Sequence, residues 1–340
     1  MATEPKTLQE AILYFADPIN CLGYLVARRW PNGVTCPTCG SKDVRFLENY
    51  NRWYCRAKHS APQFTLKTGT IMEDSPIGLD KWMTAMWQIV NCKNGISSYE
   101  VHRAIGITQK SAWFMDHRIR RALGIEPSSK LSGECEADET FIGGKARNMH
   151  LATRQRRITG TGTKDKTAVM GILERGDKTT GKTSKVRTTV VSSRKKKELQ
   201  AEVKKHVEAG SALYTDALLS YEGLAGEFAH QVVDHAEKYV DGKIHTNGLE
   251  NFWSLLKRSI NGTYVSVEPF HLFRYLDEQA YRYNNRRLTD SERFDIAVKG
   301  IVGKRLTWDR LIGKEELFLS SRTESVLDRV EAIGSLNVIQ

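Results

Sequence analysis

Residues 134–145 read ECEADETFIGGK, and this stretch decides the fold of the chain. The pattern predicts a β-strand that ends in a tight turn at Gly143 and Gly144. Asp138 lies inside the strand, where an aspartate is unfavourable for β structure. Such a cost is often accepted when the carboxylate binds a ligand. We therefore expect Asp138 to be a functional carboxylate.

The segments that follow have the pattern of an α/β domain. Residues 136–142, 167–174 and 185–191 are predicted strands joined by glycine-rich turns. Residues 194–209 are a predicted helix and residues 212–215 a fourth strand. Three strands, a helix and a further strand form the opening of a ribonuclease-H-like fold, which is the fold class we predict for this part of the chain.

Further polar residues occur where this fold would bring them near Asp138. Asp216 ends the fourth strand, which in such a fold lies beside the first strand. Glu250 and Lys257 lie together along the border of the buried face of a predicted helix, because seven residues make about two turns. Asn247 lies one turn before Glu250 and is also placed to reach a metal ion.

Scattered carboxylates of this kind suit metal-dependent chemistry on phosphodiesters. Two divalent cations about 3.5–4 Å apart activate a water or a 3′-hydroxyl and stabilise the leaving oxygen. Carboxylate oxygens are suitable ligands for Mg²⁺ or Mn²⁺, and DNA phosphate completes the coordination shell. The sequence thus predicts Mg²⁺ or Mn²⁺ at Asp138, Asp216 and Glu250, with Lys257 holding a phosphate. A chain with 40 acidic residues contains many such triples, so the prediction depends on the strand and helix context.

A second metal site is predicted near the start of the chain. Cys36 and Cys39 are separated by two residues, a spacing that lets two thiolates bind one tetrahedral ion, and a glycine follows at the turn. Cys55 and His59 supply the second pair of ligands. The segment has too little apolar content to fold unaided, which favours structural Zn²⁺ over free thiols.

Residues 98–105 and 109–123 are predicted helices joined by a short turn that contains glycine, the spacing of a helix-turn-helix. The start of the second helix is predicted to meet DNA bases, and its later arginines are predicted to contact phosphates. The predicted DNA-binding residues are Gln109, Lys110, Ser111, Trp113, Arg118, Arg120 and Arg121. A helical hairpin with a basic surface and no DNA-binding role is the alternative.

The charge balance of the chain agrees with a DNA-binding protein. The 340 residues carry 51 Lys and Arg against 40 Asp and Glu, a formal charge of +11 that favours a polyanionic partner. No apolar run is long enough for a membrane span, so we expect a cytoplasmic protein without a membrane partner.

The predicted regions are a helical lead-in (1–30), a zinc ribbon (31–72), a helix-turn-helix region (75–127), the ribonuclease-H-like domain (132–288) and a C-terminal tail (289–340). Residues 145–166 are predicted to be a basic loop that follows DNA or a solvated surface loop.

Five phrases of the sequence together resemble a known family. They are CPTCG (36–40), FTLKTGTIM (64–72), NCKNGISSY (91–99), ADETFIGGK (137–145) and HTNGLENFWSLLKR (245–258). The chain resembles bacterial insertion-sequence transposases that have an N-terminal zinc ribbon and a DDE-type catalytic domain. The resemblance extends over residues 33–285.

The resemblance implies a ribonuclease-H-like fold, Mg²⁺, recognition of terminal inverted repeats in double-stranded DNA, and catalysis by a homo-oligomer. It assigns the first two aspartates to Asp138 and Asp216 and the downstream basic residue to Lys257. The third position is Asn or Glu in such proteins, and this sequence offers Asn247 and Glu250. We favour Glu250 because a charged ligand binds Mg²⁺ better and because its spacing to Lys257 fits the DDE pattern.

Two other functions are compatible with parts of this pattern. A transcription regulator would use the zinc ribbon and the helix-turn-helix and carry an inactive catalytic-like domain. A hydrolytic nuclease would use the carboxylates to cleave DNA without joining it. The complete set of carboxylates speaks against the regulator.

Overall fold

The computed structural model describes residues 3–124, 129–144, 150–152, 155, 166–177, 179–216, 218–233 and 245–314. Most of the predicted basic loop at 145–166 therefore lies outside the described residues, as does 315–340 of the predicted tail. None of the helices formed by the described residues combines the length and the apolar character that crossing a lipid bilayer requires.

The chain begins with two helices and a small sheet. Helices α1 (Leu8–Ala16) and α2 (Pro18–Arg29) form the lead-in. Thr7 caps α1, since its hydroxyl accepts a hydrogen bond from the Glu10 amide. Strands β1 (Val44–Leu47), β2 (Arg52–Cys55) and β3 (Gln63–Phe64) pair in antiparallel order. The sheet is small, and Trp53 stacks on Phe64 to form part of its apolar side.

Three helices follow, and the second and third lie at the predicted positions. They are α3 (Leu79–Asn91), α4 (Ser98–Ile105) and α5 (Gln109–Leu123). Gly106 ends α4 with a φ of 63°, a left-handed conformation that glycine adopts without strain, and Thr108 caps α5. The short turn between α4 and α5 is therefore as the sequence predicts.

A mixed sheet forms the centre of the second half. Its strands are β4 (Glu134–Ile142), β5 (Thr167–Glu174), β6 (Lys185–Val191), β7 (Ala212–Asp216) and β8 (Ala229–Val233), in the order β6-β5-β4-β7-β8. Strand β5 is antiparallel to β4 and to β6, whereas β7 is parallel to β4 and to β8. The first four strands match the prediction. Strand β8 was not predicted.

Helices cover both faces of this sheet. Helix α6 (Lys196–His206) packs on one face against residues such as Ala137 and Ile172. Helices α7 (Asn247–Ser259) and α8 (Leu272–Asn284) cover the other face against Val169 and Leu173. Since side chains alternate along a strand, Glu136 and Asp138 point to the α7 side.

The described part of the predicted C-terminal tail is an integral part of the N-terminal core. It forms α9 (Asp290–Lys299) and α10 (Trp308–Leu311). Phe294 of α9 is fully buried, and its ring lies 5.0 Å from that of Trp87 and 5.5 Å from that of Phe15. The end of the described chain thus returns to the helices at its beginning.

Candidate active site

The predicted zinc ligands come together in the structure. One ligand atom from each of Cys36, Cys39, Cys55 and His59 lies within 4.8 Å of the others. The Cys39 and Cys55 sulfurs are 3.6 Å apart, and the Cys36 sulfur is 3.5 Å from Nε2 of His59. Tetrahedral zinc with normal bond lengths requires about 3.8 Å and about 3.6 Å for these two separations. The group therefore fits a structural Zn²⁺ site, with His59 as the fourth ligand.

Asp138 and Asp216 are adjacent across two paired strands. Ala137 of β4 is paired with Thr215 of β7, so the next residue on each strand is an aspartate. Burial raises the pKa of Asp138 to about 6, and the negative charges of Asp216 and Glu250 act in the same direction. Asp138 thus lies close enough to Asp216 and to Glu250 for their charges to act on it.

Helix α7 brings Glu250 to this place. Leu249, Phe252, Trp253 and Leu256 form its buried face. Glu250 lies in the first turn, beside this face. Two turns later Lys257 is exposed. The amide oxygen of Asn247, at the start of the helix, is buried and has no hydrogen-bond partner among the residues that the structure describes.

Both oxygens of Asp138 accept hydrogen bonds from the protein. The indole N–H of Trp253 donates to Oδ2 at 2.9 Å, and the amide of Glu139 donates to Oδ1 at 2.8 Å. Gly171 is paired with Asp138 on β5, and a Cβ there would lie 2.6 Å from Cζ2 of Trp253. The ring therefore occupies space that only a glycine leaves open.

Two acidic side chains that sequence reasoning passed over belong to this region. Glu139 points to the opposite side of the sheet, where it accepts a hydrogen bond from the Tyr221 hydroxyl. Burial raises the pKa of Glu139 to about 7, and the charges of Asp216 and Asp138 add to the effect. Glu136 is only 1% exposed and contacts the start of α7. The sequence indicated them only by the four acidic residues of ECEADE, and this cluster does not show which acidic residue has which role.

Comparisons with known proteins identify the family. The ISXO2-like transposase domain matches residues 130–284, and a transposase zinc-ribbon domain matches residues 19–57. The chain is 30% identical over 105 residues to an uncharacterized transposase-like protein of Haemophilus influenzae, a match that covers 31% of this chain and 85% of that protein. The chain belongs to the ISXO2-like transposase family. It is also 28% identical over 256 residues to an uncharacterized protein in transposable element ISH50 of Halobacterium salinarum, covering 72% of this chain and 83% of that protein.

In this member of the ISXO2-like transposase family, the predicted DNA-binding residues at the start of α5 differ in exposure and in the contacts that they make. Lys110 is exposed, and its ammonium group lies 4.7 Å from the centre of the Trp308 ring. Ser111 donates its amide to the cap residue Thr108. The amide group of Gln109 donates to Ser98 at 3.0 Å. Trp113 is partly buried and packs against His117, with ring centres 4.4 Å apart.

The later arginines of α5 require a correction. Arg118 is 5% exposed, and its guanidinium group donates to the carbonyl oxygens of Leu306 and Glu73. Arg120 is 2% exposed and forms an ion pair of 2.5 Å with Glu278, which is fully buried. The expectation that these two side chains contact phosphate is wrong for this structure, because both are enclosed by α8 and the chain after α9.

Arg121 is half-buried, and burial lowers its pKa. Of the later arginines of α5 that were predicted to contact phosphate, it is the one that is not buried. The helical pair is thus present, but its basic surface is smaller than the sequence indicates.

Proposed function

We propose that this chain is a DDE-type transposase, which binds the terminal inverted repeats of an insertion sequence and catalyses Mg²⁺-dependent strand cleavage and strand transfer. The observation that carries the proposal is the convergence of Asp138, Asp216 and Glu250 on one face of the mixed sheet, where its central strand β4 pairs with β7. The strand order and the helices on both faces support a ribonuclease-H-like fold.

The donor set fits a hard divalent cation. Burial and the negative charges of Asp216 and Glu250 raise the pKa of Asp138, so its charged form is unfavourable in the absence of a cation, and oxygen ligands are those that Mg²⁺ and Mn²⁺ prefer. Asp138, Asp216 and Glu250 would hold the metal. When bound, the metal supplies activation of the attacking hydroxyl and stabilisation of the leaving oxygen.

The remaining polar residues of α7 have separate proposed roles. Lys257 is exposed two turns from Glu250, where its ammonium group binds a DNA phosphate near the reacting end. Asn247 is the alternative third ligand. Its amide oxygen is buried and has no hydrogen-bond partner among the described residues, which supports that alternative. The charge of Glu250 raises the pKa of Asp138, which supports Glu250 as the third ligand.

Helices α4 and α5 are proposed to form the helix-turn-helix that recognises DNA, with Gln109, Lys110, Ser111 and Trp113 at the contact and Arg121 beside it. The exposed side chain of Lys110 in the first turn of α5 supports this placement. A phosphate contact by Lys110 predicts that Lys110→Ala weakens binding to all sequences and reduces the slope of log affinity against log salt by about 1. The active species is proposed to be a homo-oligomer on DNA in the bacterial cytoplasm.

A strand-transfer assay tests the proposal. The substrates are duplexes with the inverted repeats that flank the gene, a target plasmid and Mg²⁺. We expect joining by the unmodified chain and a loss of at least about 10³-fold in Asp138→Ala and Asp216→Ala, the scale on which metal-assisted catalysis acts. The matched control is Glu222→Gln, which neutralises an exposed carboxylate elsewhere and should retain full joining.

The outcomes separate the proposal from its rivals. Cleavage without joining identifies a hydrolytic nuclease. Specific binding without cleavage identifies a regulator, and full joining by either alanine variant contradicts the assigned ligands. Glu250→Ala and Asn247→Ala, compared separately, decide the third ligand, because only the true ligand should match the loss seen in Asp138→Ala.

A further inference from the structure

We propose that Glu136 and Trp253 are positioning residues, which fix helix α7 on strand β4 so that Glu250 faces Asp138. The inference rests on the proposed function for its catalytic meaning, but the two contacts that carry it are independent of that function. One contact lies on each side of Glu250 along α7. Neither residue is itself assigned to bind metal or DNA.

Glu136 supplies a cap that α7 lacks in its own sequence. The first amides of a helix have no partner inside it, and the side chain of the cap residue Thr246 makes no capping hydrogen bond. Oε2 of Glu136 accepts a hydrogen bond from the Leu249 amide at 3.0 Å. A carboxylate at a helix N-terminus is also favoured by the helix dipole.

Space and charge around Glu136 fit this role. A Cβ at Gly248 would lie 2.8 Å from Oε2 of Glu136, so a larger residue there would push the carboxylate away from the start of the helix. Arg175 donates to Oε1 at 2.8 Å and to the carbonyl oxygen of His245 at 2.6 Å. The same guanidinium group therefore neutralises Glu136 and holds the chain just before α7.

Trp253 makes the second contact, one turn after Leu249. Its indole N–H bond to Oδ2 of Asp138 leaves that carboxylate with one defined orientation, because the Glu139 amide holds the other oxygen. Each oxygen retains a lone pair for a metal ion. Partners of this kind orient metal ligands, and their loss typically lowers metal affinity by about 10–100-fold.

Hydrogen exchange tests the role of Glu136 without catalysis. In the full chain, Glu136→Ala should speed exchange of the Leu249 amide about tenfold, the scale of losing a helix cap, while the amides of Phe252 and Leu256 keep their rates. Glu136→Gln retains an acceptor oxygen and should restore much of the protection. Unchanged exchange at Leu249 in the alanine variant overturns the capping role.

Binding of Mn²⁺ alone, followed by electron paramagnetic resonance, tests Trp253. Trp253→Phe retains an aromatic ring but removes the donor, and we expect Mn²⁺ affinity to fall by about 10–100-fold. Trp82→Phe is the matched control, since it removes an indole hydrogen bond to Ser75 outside the carboxylate cluster and should leave Mn²⁺ affinity unchanged.

Two results distinguish failure of this inference from failure of the proposed function. Wild-type affinity in Trp253→Phe, together with lost binding in Asp138→Asn, overturns the role of Trp253 and leaves the metal site intact. If the unmodified chain binds no Mn²⁺, the proposed metal site and the role of Trp253 both fail. The exchange of the Leu249 amide still decides the role of Glu136 in that case.

Discussion

Gly171→Ala is expected to disturb the carboxylate cluster from the neighbouring strand β5, where Gly171 is paired with Asp138. The added Cβ would lie 2.6 Å from Cζ2 and 2.7 Å from Cη2 of Trp253 and 2.9 Å from Cδ2 of Leu249. Carbon atoms in good contact are about 3.5–4.0 Å apart, so the indole ring or the helix must move by about 1 Å. Overpacking of this kind costs about 1–3 kcal/mol of unfolding free energy.

The same displacement should affect catalysis more than stability. A misplacement of about 1 Å lowers catalytic rates by about 10²-fold, and Asp138 loses its indole partner when the ring moves. We expect the melting temperature of Gly171→Ala to fall by about 2–4 °C for each kcal/mol lost. Calorimetry measures the first effect, and the strand-transfer assay measures the second.

A control and a double variant make this prediction refutable. Gly23 lies within α2, and no atom of the described residues lies within 4 Å of the place that a Cβ would occupy there. Gly23→Ala should therefore be neutral or stabilising by about 0.5–1 kcal/mol. Gly171→Ala should add less destabilisation when Trp253 is already alanine, because only the close contact with Leu249 then remains. Wild-type stability and joining in Gly171→Ala would show that the close packing described above is not needed.

Three further predictions concern the core, the metal sites and pH. Glu278→Gln leaves the Arg120 charge buried without its partner. Denaturant unfolding should show that the free energy of unfolding falls by about 3–5 kcal/mol. A decrease of less than about 1 kcal/mol would contradict a stabilising role of the ion pair. Cys55→Ser should remove bound zinc, measured by atomic absorption, and change the near-ultraviolet signal of Trp53 while most far-ultraviolet helix signal remains. The pKa of Asp138 is raised to about 6, so the folded chain retains a proton that the unfolded chain loses, and metal-free stability should fall as pH rises from about 4 to above 6. Asp138→Asn should therefore raise the metal-free melting temperature at pH 7 and flatten this dependence; an unchanged profile would contradict the burial of the charge.

Much of the local structure followed from the sequence because it depends on short-range patterns. The alternation of apolar and polar residues, together with the turn residues, predicted the ends of strands β4 to β7 to within a few residues of the observed ends. The two-residue spacing of Cys36 and Cys39 indicated zinc, and the packing of the α7 face followed from helical periodicity. The family phrases then assigned the carboxylates, and strand pairing brought Asp138 and Asp216 together.

Other features depend on contacts between distant segments and could not be read from local patterns. Arg118 and Arg120 have the spacing of a basic helix surface, but packing of α8 and of residues after α9 encloses them. Their charged groups therefore bind carbonyl oxygens and a carboxylate inside the protein. Strand β8 escaped prediction because its short sequence has little alternation of its own, and it is defined by pairing with β7.

The stretch ECEADETFIGGK by itself determined a strand that carries a functional aspartate, because strand propensity and the turn at Gly143 and Gly144 are local properties. Only the tertiary structure shows that the acidic residues of this stretch have different roles. Glu136 caps a helix at Leu249, 113 residues further along the chain, and Glu139 faces the opposite side of the sheet. The physical reason is that a carboxylate's role is set by the groups that the fold places around it, and those groups come from distant parts of the chain.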